Sequence, residues 1–279
     1  MKKLLLTFLT LVVMINAHAQ GCFEVLPLEN AKLHVYYSND VMADASYVVE
    51  GENGLVTIET PLFKSGLAEF NAYLSKLGKP VVAMIADYHV GGTGNAEVIM
   101  AEGMGKFTTE GVYAAMMSGF RKNFGDSMVD LPTGHVEEVA FGNTKTIAGI
   151  DFKFTKGTAT DFPGAAILID GTAYLTHWAP VKMHLNALQI PSRAAVSAEL
   201  EALGNALESG AKYFIGGHGG ASDIDGVKFK ISYLQTVEDL MAKCPDAASF
   251  AEALTRAWPG LAGEDSVAGL AAALYPAAK

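Results

Sequence analysis

The stretch Val81–Gly92, "VVAMIADYHVGG", begins as a buried strand and ends as something else. Its apolar run to Ala86 has the length and composition of a strand covered on both faces. It then stops on a carboxylate, a phenol and an imidazole, followed by two glycines. Immediately upstream, Leu67, Phe70, Leu74 and Leu77 fall on one face of a helix over Leu62–Leu77, which Gly78-Lys-Pro80 ends. Before that helix, "GLVTIET" (Gly54–Thr60) is β-rich. Strand, helix, strand is a crossover unit, so Leu55–Glu59 and Val81–Ala86 are expected to be parallel neighbours. Polar groups at the end of such a rigid strand need little further ordering for chemistry.

The same reading extends outward in both directions. "KLHVYYS" (Lys32–Ser38) and "ASYVVEG" (Ala45–Gly51) are β-rich, and Gly51-Glu-Asn-Gly54 is a hairpin turn leading into the next strand. Downstream, Phe107–Gly125 reads as a helix whose Met116-Met117 pair fills core space. Strands are predicted at His135–Phe141, Thr144–Ile147, Ile150–Thr155, Ala165–Ile169 and Thr172–Thr176, as an antiparallel meander. Asp170-Gly171 is its strongest hairpin signal. Ser192 caps a helix running to Gly210, which feeds a short strand, Lys212–Ile215, ending in Gly-Gly-His-Gly-Gly. Helices follow at Ile224–Ala242, Ala247–Trp258 and Gly263–Leu274. Two mixed β-sheets with helices outside satisfy this order, an α/β fold of αββα type.

The N-terminus carries different information. Met1-Lys-Lys is basic, Leu4–Ile15 is a short apolar run, and Ala17-His-Ala19 is a small-x-small site. Residues 1–19 therefore read as a secretory signal peptide cut after Ala19, with the mature protein periplasmic or secreted. No later segment is apolar enough to span a membrane. A lipoprotein at Cys22 is the lesser reading, since Ala19-Gln-Gly-Cys22 lacks the large aliphatic residue usual three positions earlier. Cys22 and Cys244 either pair in an oxidising compartment or stay as free thiols.

The mature chain, 20–279, is expected to form one domain with a C-terminal helical extension. Half of the residues are apolar, enough for a sizeable core. Removing Lys2 and Lys3 from 20 basic residues leaves 18 against 30 acidic, a net charge near −12. That balance argues against nucleic acid and anionic membranes as partners; the partner expected is a small-molecule substrate.

Three histidines share a context: His89, His177 and His218 each follow a predicted strand, beside glycine or turn residues. Asp161, in "TATDFPG", precedes another strand. Three imidazoles with one or two carboxylates would make a catalytic zinc set with an open position for water. His34, His135 and His184 have no such setting and read as structural. The glycines flanking His218 let backbone crowd a site.

From about Lys32 to about Leu240 these segments resemble the metallo-β-lactamase fold superfamily. "SYVVEGENGLVTIET" is similar to its opening hairpin, with Glu59 where an aspartate is usual. "VVAMIADYHVGG" resembles the strand and loop that usually read His-x-His-x-Asp-His-x-Gly-Gly, "ATDFPGAAILID" the His-Thr-x-Gly-Ser segment, and "YFIGGHGG" the Pro-Gly-His-Gly segment. Of the ligands only His89 and His218 match in identity; Met84, Ala86 and Tyr88 replace two histidines and an aspartate. Asp161 stands where a histidine is expected and His177 where the bridging aspartate is expected.

The resemblance implies an αββα sandwich and one of three outcomes. One metal is held by His89, His177 and His218 with Asp87 or Asp161 nearby; or aspartate and histidine have traded places in a rearranged site; or the chain is a catalytically silent binding protein. With metal, Asp87 or Asp161 would assist the bound water, Tyr88 would donate to an oxyanion, and Glu59 would orient a ligating histidine. On an extended strand Asp87 and His89 would share a face and Tyr88 would point away. The family's chemistries include hydrolase, lactonase, thioesterase, phosphodiesterase and sulfur transfer, so fold alone fixes no substrate.

Overall fold

A computed structural model describes residues 21–92, 96–130 and 136–276. The expected signal peptide and His135 lie outside them. The first sheet holds seven strands in chain order: β1 (Cys22–Pro27), β2 (Lys32–Tyr37), β3 (Ala45–Glu50), β4 (Leu55–Ile58), β5 (Val81–Ile85), β6 (Glu97–Ala101) and β7 (Val136–Val139). β1 to β4 are antiparallel, and β4 to β7 are parallel. The expected crossover is present: α1 (Lys64–Leu77) connects parallel neighbours β4 and β5.

The second sheet runs β13-β12-β11-β10-β9-β8, from β8 (Thr144–Ile147), β9 (Ile150–Lys156), β10 (Ala165–Ile169), β11 (Ala173–Trp178), β12 (Tyr213–His218) and β13 (Gly220–Ser222). β8 to β11 form the antiparallel meander, and β11 pairs with β12 in parallel. Asp170 and Gly171 both have positive φ, as a tight hairpin turn between β10 and β11 requires. The meander was expected to begin with the strand at 135–141. Its described part, β7, instead lies parallel to β6 in the first sheet.

Helices α2 (Met104–Thr109) and α3 (Gly111–Phe124) replace the single helix predicted there. Glu110 is extended and Gly111 has φ +67°, so the helix is interrupted between them. Met117 is buried and Met116 packs beside it, as core filler. On the far face lie α4 (Arg193–Glu208), α5 (Ile224–Lys243), α6 (Ala247–Ala257) and α7 (Val267–Leu274).

Side-chain alternation along the strands builds the layers. Val49 and Val56 join Phe152, Ile167 and Leu175 in the core between the sheets. Val48 and Leu55 face the other way, onto Phe70 of α1. On the second sheet Ala166, Tyr174 and Phe214 face α4 to α7. The result is the αββα sandwich. Of the two readings of Cys22 and Cys244, the structure has the free thiols.

Candidate metal centre

Three strand ends bring the candidate residues together. β5 stops at Ile85, and Asp87, Tyr88 and His89 occupy the loop that follows. β11 and β12 run further than expected, so His177 and His218 lie within strands and not beyond them. Trp178 is paired with His218 across these parallel neighbours. One ring nitrogen from each of His89, His177 and His218 lies within 4.8 Å of the other two. His89 Nε2 and His218 Nε2 are 3.2 Å apart. The three side chains are 17%, 9% and 14% exposed, enough to be reached from one side.

Each imidazole turns its other nitrogen toward a carboxylate. His177 Nδ1 hydrogen-bonds Asp161 Oδ2 at 2.7 Å. His218 Nδ1 lies 3.0 Å from Asp44 Oδ1, and His89 Nδ1 lies 3.2 Å from Glu59 Oε2. In the last two pairs the atoms are close but not aligned for a hydrogen bond, which leaves His89 Nδ1, His218 Nδ1 and Asp44 Oδ1 buried and unpartnered. A carboxylate beside Nδ1 favours the tautomer with its proton there and a lone pair on Nε2. Two such lone pairs facing at 3.2 Å repel unless a proton or cation lies between them.

The charge balance follows from burial. Burial, more than any neighbour, drives the His89 imidazole down to about 3, so it stays neutral and keeps its lone pair. Asp44 is the opposite case: burial works to raise its pKa, but His89, His218 and His177 together hold it below the usual carboxylate value. An anionic Asp44 and a neutral His89 suit a cation. An ion with nitrogen ligands at about 2.0–2.1 Å in a tetrahedron separates them by roughly 3.4 Å, close to the His89–His218 spacing. On donor type, convergence and backing carboxylates, these residues fit zinc.

Glu59 organises the loop. Its Oε1 accepts the N–H groups of Asp87 (2.7 Å) and Tyr88 (3.0 Å), and its Oε2 accepts that of His89 (2.7 Å). It does so at φ +52°, a strained value for a non-glycine residue. Burial, then repulsion from Asp87, raises its pKa well above the ordinary value despite those three bonds. Two glycines leave room for the same assembly. A Cβ on Gly217 would stand 2.7 Å from His89 Cε1, and one on Gly91 would collide with the Thr60 and Pro61 carbonyls.

The other candidates stand elsewhere. Asp87 is fully buried, and both of its oxygens accept the Ala165 N–H at 2.9 Å. It braces β10 and does not share a face with His89, because the strand has already ended at Ile85. Tyr88 points toward the site side: its ring stacks on His177 at 4.5 Å and 1°. Its hydroxyl is buried against Gly157, which leaves it packing and not donating to a substrate. Asp161 stands behind His177, and the group of potential ligands among the described residues contains only the three histidines. His34 and His184 are buried and bonded to Tyr73 and Tyr233, the structural roles expected of them.

Two participants were not anticipated. Asp44 precedes β3 and forms a lone antiparallel bridge with His218, tying the two sheets together at the site. Trp178 stacks on His218 at 4.2 Å and 25°. Nothing local in "SNDVMADAS" marks Asp44, because its partner lies 174 positions away in the chain. Trp178 adjoins His177 in the sequence but carries no mark of its own there.

No protein-family model matches the chain, and a search of curated proteins finds no match in sequence. Solved structures do match. A metallo-β-lactamase family protein from Thermus thermophilus superposes with a TM-score of 0.56 at 15% identity, over 91% of this chain and 90% of that one. A β-lactamase domain protein from Burkholderia ambifaria gives 0.52 at 16%, over 91% and 83%. A stereoselective inverting sec-alkylsulfatase from Pseudomonas sp. gives 0.57 at 16%, over 86% of this chain but 48% of that one. Sheet order, layer arrangement and these superpositions agree: the chain has the metallo-β-lactamase fold.

Proposed function

We propose that the protein is an exported hydrolase in which His89, His177 and His218 hold a single zinc ion. The observation that carries this reading is the set of three converging imidazoles, each with a carboxylate at its other nitrogen. Such an ion, when bound, lowers the pKa of its water toward about 7 and polarises a carbonyl or ester oxygen. The chain's own residues prepare the site. Asp161 keeps the His177 proton on Nδ1, Asp44 sets its charge beside the His218 ring, and Glu59 fixes the loop that carries His89. Tyr88 and Trp178 cover the faces of two imidazoles and keep water off them.

In this reading Asp161 orients a ligand and is not one itself, and Asp87 and Tyr88 support the loop. Fold relatives named as a metallo-β-lactamase family protein and a sec-alkylsulfatase favour hydrolysis as the reaction class. The substrate is a small molecule with an ester, lactone, amide or similar bond. Export rests on the basic, apolar and small-residue succession of residues 1–19.

The test is hydrolysis of a panel of chromogenic esters, lactones and amides by untagged protein, with and without chelator. Activity lost on chelation and restored by zinc supports the reading. Activity indifferent to chelation, or intact in His89→Ala, overturns it. A metal-free protein indifferent to chelator would instead match a binding protein of the cell envelope.

A further inference from the structure

On the helical side of the second sheet, a buried lysine meets a largely covered glutamate where packing requires no charge. Lys230 of α5 is 2% exposed, and its Nζ lies 2.6 Å from Glu199 Oε1 of α4. A buried ion pair is a poor means of joining two helices, since apolar residues of similar volume do so as well or better. What this pair adds is an acceptor held in one place. Glu199 Oε2 accepts the Thr158 hydroxyl at 2.8 Å, on the connection between β9 and β10. The Thr158 carbonyl accepts the Asp161 N–H at 3.0 Å, closing a turn. Asp161 Oδ2 is then 2.7 Å from His177 Nδ1. Ala159 and Thr160, between them, are exposed, so on that side the Thr158 hydrogen bonds hold the turn. On the other, Phe162 packs against Phe107 and gives its N–H to Asp161 Oδ1 at 2.8 Å.

We propose that Lys230 and Glu199 are positioning residues: through Thr158 they hold the turn bearing Asp161, and through Asp161 they set the tautomer and orientation of His177. The consequence for metal affinity rests on the metal-centre reading above; the orientation of the ring does not.

The experiment uses the mature protein, metal-free, with 15N-labelled histidine. Long-range 1H–15N correlations of His177, assigned by comparison with His177→Gln, report which ring nitrogen carries the proton. Wild type and Thr158→Ser are expected to show one tautomer, protonated at Nδ1. Thr158→Val should show a mixture, with an unchanged circular dichroism spectrum. Its zinc affinity should fall about 3- to 10-fold, less than the roughly 10- to 100-fold typical of losing a direct partner of a ligand. The double variant Lys230→Met/Glu199→Leu should match Thr158→Val; if it does not fold, Thr158→Val decides, since it removes only one half-buried hydroxyl. A single Nδ1–H tautomer retained in Thr158→Val would overturn the proposal. If the tautomer shifts as expected while wild type takes up no zinc, the positioning role stands and the metal-centre reading fails.

Discussion

Asp44 and Asp87 are both buried aspartates, yet their surroundings assign them different work. Asp44 faces three imidazoles and stays anionic, whereas Asp87 faces a backbone N–H and is pushed by burial up to about 8. Asp44→Asn should therefore weaken zinc binding by about 10- to 100-fold, read by competition with a chromogenic chelator. Asp87→Asn keeps an acceptor for Ala165 and replaces a carboxyl that burial already holds largely neutral near pH 7, so it should unfold no earlier than wild type and retain its metal. Asp87→Ala orphans that N–H and should cost about 1–3 kcal/mol in denaturant unfolding. Zinc loss in Asp87→Asn with unchanged stability would return Asp87 to the site. His89 and His218 were legible in sequence because each stands at a strand end among glycines. Asp44 was not, since only the bridge between the sheets brings it to His218. The role of Asp87 turned on where β5 ends, and a difference of one residue moves a side chain to another face.

At the scale of elements, the glycine-rich hairpin of β12 and β13 depends on one tyrosine. The Tyr47 hydroxyl, buried on β3, lies 2.6 Å from the Gly216 carbonyl and 2.9 Å from that of Gly220, and accepts the Gly216 N–H at 3.1 Å. Tyr47→Phe leaves buried backbone groups without this partner and should destabilise by about 1–3 kcal/mol in urea unfolding. A change below the error of that measurement would mean the hairpin is held by strand pairing alone. Most elements were readable because period and turn chemistry agreed, as with α1 and the Asp170-Gly171 turn. β6 was missed: "EVIMA" is a short apolar run followed by a methionine-rich helical segment, and periodicity alone cannot separate the two. β13, "GAS", has no strand propensity and exists through its pairing with β12. The placement of β7 in the first sheet depends on β6 as its partner, so missing one misassigned the other.

At the scale of the whole molecule, stability should depend on pH through histidines remote from the site. Burial lowers the pKa of His34, outweighing Glu50, and burial likewise lowers that of His184. With folded values below the unfolded value of 6.5, both bind protons more readily when the chain unfolds. Their contribution is present above about pH 6.5 and is lost as pH falls below it. The melting temperature should therefore drop between about pH 7 and 5, and less steeply in His34→Gln. Equal slopes in the two proteins would remove His34 from the explanation. The four-layer architecture itself was legible, because alternating strands and one-sided helices admit few arrangements.

The metal centre is tested most directly by metal analysis of untagged protein, loaded with zinc and then dialysed. About one zinc per chain is expected for wild type, and little or none for His89→Ala and His218→Ala, as three converging imidazoles require. Wild type that retains no more zinc than those variants would contradict the metal centre, and leave the three histidines and their carboxylates as a structural cluster.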